Sequence, residues 1–74
     1  MKTPKEIHIN TKGVHRDEVK YLIDNELAPL IDDNDIEIHT IANKIVIHFI
    51  RNLETALRIM HSLEATHWLW NEYY

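Results

Sequence analysis

Six histidines in a chain of 74 residues are the first candidates for chemistry, because imidazole exchanges protons and ligates zinc, copper or nickel. His8, His39 and His48 each sit where apolar and polar residues alternate, and Glu37 stands two residues before His39. If those stretches are strands, the three imidazoles leave one sheet face from three different strands, with Glu37 available as a fourth ligand. They share no short ligand motif, so three readings compete: a metal site, a group of imidazoles that repel one another when protonated, and the rim of a contact surface. The contact surface is preferred. Ile41, Val46 and Ile50 fall on the same face, and an open sheet with apolar members commonly buries them against another molecule.

Asp32-Asp33-Asn34-Asp35 invites a calcium reading, yet an EF-hand loop needs a central glycine and a glutamate at its twelfth position. Neither is present, and a turn rich in Asx residues explains the run. There is no glycine-rich phosphate cradle and no nucleophile beside an identifiable base, and Gly13 is the only glycine. The expectation is a protein that is not an enzyme and needs no cofactor.

The charge is unevenly distributed. Between Asp17 and Glu37 stand eight acids and the single base Lys20, a net −7, while the remainder of the chain carries +3. Nucleic-acid binders show the reverse, a basic stripe that releases counterions from phosphates. An acidic segment is either a solvated helix face with its loop or a surface that meets a basic partner.

Seventy-four residues with 45% hydrophobic content, eleven isoleucines and no cysteine make one small domain, residues 1–74, held by a core without disulfides or zinc thiolates. No stretch approaches the roughly 20 apolar residues of a membrane span, so the protein is expected to be cytoplasmic. A homodimer, through an open sheet face or an edge strand, would add core to so short a chain.

Residues 35–50 organise the rest. Ile36, Ile38 and Thr40 alternate with Glu37, His39 and Ile41, and a second β-branched run covers residues 45–50 after Ala42-Asn43-Lys44, which predicts a hairpin. A turn centred on Ala42-Asn43 sets Glu37 opposite His48, whereas one centred on Asn43-Lys44 sets His39 there. Residues 5–11 alternate as a first strand, and Lys12-Gly13 turns the chain. A helix is expected from His15 or Arg16, with Asp17 and Glu18 in its first turn and Val19, Leu22, Ile23 and Leu27 on one face. Pro29 should end the regular helix near Leu27 or Ala28, or leave a kinked extra turn beyond it. Asn52 suits the N-cap of a second helix with Leu53, Ala56, Leu57, Met60 and Leu63 as its apolar stripe. Residues 66–74 read as a fourth strand or as more helix, and the aromatic alternation favours strand. In that strand Trp68 and Trp70 share a face: they join the open sheet face as aromatic anchors if Leu69 points to the helices, and otherwise cap the core.

The order is β-α-β-β-α-β, an α+β ferredoxin-like split βαβ sandwich with both helices on one face of an antiparallel sheet. It is similar to the RNA-recognition motif family, with residues 7–10 where that family carries its short motif and residues 44–49 over its longer one. The resemblance implies bases stacked on aromatics of the open face of strands one and three. Here those positions hold His8, Lys44, Val46 and His48, with no Phe or Tyr.

The function expected is a small protein-binding module, an inhibitor or regulator that covers a basic, nucleic-acid-binding surface of its target. Its contacts are expected from Asp24, Glu26, Asp32, Asp33, Asp35, Glu37, His39, Ile41, Val46, His48, Trp68 and Trp70. Heavy isoleucine, asparagine and lysine usage in a short chain fits a viral, phage-encoded source. The runner-up is a single-stranded RNA or DNA binder with His8, His48, Trp68 and Trp70 as a stacking platform.

Overall fold

Alternation at period two over residues 36–49 becomes a hairpin of β2 (Ile36–Ile41) and β3 (Lys44–Phe49) in the computed structural model, which describes residues 4–30, 36–49 and 53–74. The two-residue turn Ala42-Asn43 pairs Ile41 with Lys44 and Glu37 with His48, which settles the register. Ala42 takes a φ of +45°, the left-handed conformation that a tight hairpin demands at its first central position.

Two further strands, β1 (Glu6–Asn10) and β4 (Trp70–Tyr73), complete one antiparallel sheet in the order β2-β3-β1-β4. The two helices, α1 (Arg16–Tyr21) and α2 (Leu53–Ala65), make the chain α+β. Gly13, at φ +80°, supplies the left-handed turn between β1 and α1. His15 caps α1, accepting from the Asp17 N–H through Nδ1 at 3.1 Å.

The first helix takes the kinked extra turn that Pro29 leaves open beyond Leu27 and Ala28. It widens into a π-helical segment, Leu22–Leu27, and closes with a 3-10 turn, Ala28–Leu30. We attribute the change of register to Pro29, which has no N–H and whose ring crowds the carbonyl four residues back. The Ala28 N–H donates to the Ile23 carbonyl, and Asn25 Nδ2 donates to the Tyr21 carbonyl at 3.2 Å.

One hydrophobic cluster joins Ile7, Ile9, Ile36, Ile45 and Ile47 of the sheet to Leu22 and Leu27 of the first helix and Ala56, Ile59 and Leu63 of α2. All five strand residues share a parity, so both helices pack on one sheet face. Complete burial of each isoleucine contributes about 1.5–3 kcal/mol. The stripe of α2 departs from expectation: Ile59 is fully buried, while Leu57 is 38% exposed. Residues 56, 59 and 63 point straight at the sheet, and Leu57 sits on the shoulder. The side chain of Leu53 and the proposed cap Asn52 lie outside the described residues.

No glycine or proline separates α2 from β4, yet the helix stops. It closes in a Schellman arrangement, with His67 at φ +62°, the His67 N–H on the Glu64 carbonyl at 3.4 Å and the Trp68 N–H on the Leu63 carbonyl at 3.2 Å. The Thr66 hydroxyl donates to the Ser62 carbonyl at 2.9 Å. Left-handed backbone costs a non-glycine residue about 1–2 kcal/mol, and glycine adds about 0.5–1 kcal/mol of unfolded-state entropy. His67→Gly should therefore stabilise the protein by up to about 1 kcal/mol, read from urea melts. A loss of stability would mean that the imidazole makes a contact worth more than the strain.

Candidate functional site

The helices leave the other face of the sheet uncovered, and the strand register arranges that face in rows. Glu37, His48, Glu6 and Tyr73 form one row across β2, β3, β1 and β4, and His39, Val46, His8 and Asn71 form the next. Ile41, Lys44 and Asn10 begin a third, which Leu69 completes through the hydrogen bond from the Asn10 N–H to its carbonyl at 2.8 Å.

Carboxylate–imidazole pairs hold the first two rows together. Glu6 accepts from His8 Nε2 on one carboxylate oxygen at 2.9 Å and from His48 Nδ1 on the other at 3.2 Å. Lys44 Nζ donates to His8 Nδ1 at 3.4 Å, so a His8 tautomer with its proton on Nε2 satisfies both contacts. Glu37 pairs with His39 Nε2 at 3.1 Å. The hydrogen bond from His8, then that from His48, holds the Glu6 carboxyl below the usual carboxylate range. A depressed folded value means that the unfolded chain binds more protons in that window, so stability is lost as pH falls through the folded value. Glu6→Gln should flatten the acid limb of the stability curve, measured by urea unfolding from about pH 6 to about pH 3. An unchanged acid limb would show that the pairing carries no stability.

His8 engages both ring nitrogens, with Glu6 and Lys44, while His39 and His48 each engage one with a glutamate. Among the described residues no group of three His, Asp or Glu side chains converges on a point that could hold a metal ion.

The expected contact residues do not form one surface. Glu37, His39, Ile41 and His48 do lie together on the open face, with Ile41 50% exposed. Val46 lies on that face but is only 7% exposed, because His8 and His39 flank it directly on the neighbouring strands. It is the floor of the surface and offers no contact area. Asp24, exposed, and Glu26, half-buried, belong to the helix layer on the far side of the sheet, so one flat surface does not join them to Glu37. Asp32, Asp33, Asp35 and Ile50 lie outside the described residues.

Trp68 and Trp70 take the core-capping alternative of the two left open for them. Trp70 pairs with Ile9 and so points to the helix side, and both indoles pack against the core. Leu69, the residue that would have had to face the helices, is 71% exposed. A stacking platform of His8, His48 and the two tryptophans is therefore split between opposite faces. Tyr73 takes the place of the tryptophans on the open face, 46% exposed, its ring 4.2 Å from that of His8 and tilted by 41°. Parity alone could have found Tyr73 once Trp70 was assigned inward. A shallow cleft of about 220 Å³ lies beside this ring pair, lined by His8, Asn10, Asn43, Lys44, Asn71 and Tyr73.

Sequence reasoning gave no sign of a cleft of about 350 Å³ at the end of the sheet, between the start of the first helix and the turn into β4. Asn10 and Leu69 of the open-face rows line it together with Lys12, Val14, Glu18, Thr66, His67 and Trp68. Trp68 is also the wall of a neighbouring, more apolar cleft with Tyr21, Leu22 and Glu26.

No protein-family model matches the chain, and neither the curated proteins nor the solved structures contain a match to it. Among the described residues no helix is long and apolar enough to cross a membrane.

Proposed function

We propose that this chain is a small, non-enzymatic protein-binding module of ferredoxin-like βαββαβ topology, acting in the cytoplasm as an inhibitor or regulator. The observation that carries the proposal is the uncovered sheet face, where Ile41, Leu69 and Tyr73 expose apolar area around a braced floor of Glu–His pairs. Such a surface is rigid before it binds, so little ordering entropy opposes association. The partner is a protein with a basic surface. The acidic stretch through Asp24, Glu26, Asp32, Asp33, Asp35 and Glu37 raises the encounter rate with it, and the sheet supplies the contact. A basic surface that reads nucleic acid is the natural target, and covering it would switch it off.

Tyr73 supports a second reading, a single-stranded RNA or DNA binder that stacks a base on the His8–Tyr73 pair. Affinity capture from a lysate of the source organism, with and without nuclease, separates the two. A basic protein retained after nuclease supports the module. Nucleic acid recovered without nuclease and lost with it supports stacking. A fluorescently labelled oligonucleotide is the right follow-up reporter, because the tryptophans sit on the wrong face to sense a bound base.

A further inference from the structure

β2 is an end strand of the sheet, and among the described residues no strand pairs with its outer edge. Edge strands are ordinarily protected from self-pairing by lysine, proline or brevity. β2 runs for six residues, Ile36–Ile41, and contains neither lysine nor proline. Its side chains carry a pattern of their own: Glu37 and His39 on the open face, Ile36, Ile38 and Thr40 on the helix face.

We propose that a second copy of this chain docks on that edge, β2 against β2 in antiparallel register about a two-fold axis at Ile38. The inference rests on the sheet order and the β2 sequence, not on the binding role proposed for the open face. An axis perpendicular to the sheet keeps both open faces on one side, so paired residues must share a parity. Four registers then overlap by three residues or more, and centring on Thr40 sets His39 against Ile41. Centring on Glu37 sets two carboxylates against each other. Centring on His39 sets two imidazoles together and Glu37 against Ile41. Centring on Ile38 sets each Glu37 opposite the other copy's His39, and does so twice by symmetry.

Only the Ile38 register is charge-complementary. It extends the Glu37–His39 contact already present within each strand, at 3.1 Å, into a four-membered network across the interface. On the helix face it covers Ile38, half-buried in the single chain, with its own symmetry mate, so the two cores become continuous. The product is one eight-stranded sheet with both open faces on the same side. β4 offers a shorter edge of four residues, and pairing it about Asn71 would set Trp70 against Glu72.

Edges of this length bury less than a standard interface of about 1,600 Å², so the expected association is weak, with a Kd on the order of micromolar. Sedimentation equilibrium on the full chain, from about 5 to about 500 µM to bracket that Kd, should show a monomer–dimer transition. Glu37→Lys and His39→Glu should each weaken it about ten- to hundredfold, since each substitution spoils two symmetric cross-strand pairs. The exchanged double variant, E37H with H39E, should restore the Kd to within about threefold of the original, because it recreates both pairs. Both side chains are more than half exposed, and circular dichroism melts verify that each variant stays folded. A chain that remains monomeric throughout overturns the proposal. So does a dimer indifferent to both single changes, and so does a double variant that stays as weak as the singles.

Discussion

Ile47→Ala is expected to remove about 2–5 kcal/mol of folding free energy, against a total of about 4–11 kcal/mol for a chain of this size. The variant should keep only a few kcal/mol of that stability and unfold at a much lower urea midpoint. Ile47 has no exposed surface, lies opposite Ile7 on β1 and Ile38 on β2, and faces both helices across the one core. Its neighbour Val46 makes the useful comparison. Both side chains are buried, but Val46 lies on the open face, with His8 and His39 flanking it among the described residues. Val46→Ala should cost about 1.5 kcal/mol, the transfer value of the lost methyl groups. Its neighbours can settle into the space, whereas a cavity between sheet and helices cannot collapse. Paired urea melts decide the matter, and equal losses would contradict a core confined to one side of the sheet.

That asymmetry marks what the sequence did and did not disclose. Periodicity at two residues located β1, β2 and β3 because β-branched residues alternate there with polar ones, and the first helix announced itself through His15, Asp17 and Glu18. The hairpin register was open because two turns of equal length fit Ala42-Asn43-Lys44, and only cross-strand pairing decides between them. The stop between α2 and β4 was hidden because a Schellman closure usually shows itself by glycine, and here a histidine takes the left-handed position. The faces of Trp68 and Trp70 followed from that stop, since one residue of slip in a strand moves every side chain to the other face. Burial of Val46 was illegible for another reason: parity gives direction, and exposure depends on the size of its neighbours on two other strands.

The second large effect concerns binding. Ile41 and Tyr73 stand at opposite ends of the open face, on the two edge strands. Changing both to aspartate should weaken the captured partner at least about 100-fold, since buried anchors contribute about 2 kcal/mol or more apiece in a well-packed interface. Leu57→Asp places the same charge on the exposed shoulder of α2, on the far side of the sheet, and should leave the affinity within about threefold. Neither site is in the core, so the melting temperatures should move little. If Leu57→Asp weakens the complex as strongly as the double variant, the helix layer and its Trp68 cleft form the interface.

The six histidines divide evenly for the most direct test. His8, His39 and His48 project from the open face, while His15 caps the first helix, His61 lies on α2 and His67 sits in the turn before β4. Diethyl pyrocarbonate footprinting, read by mass spectrometry with and without the captured partner, reports on both sides of the sheet at once. The account predicts that the partner protects His39 and His48 and leaves His15, His61 and His67 reacting as in the free chain. Protection of His61 and His67 with His39 and His48 unchanged would contradict it, and would place the partner on the helices.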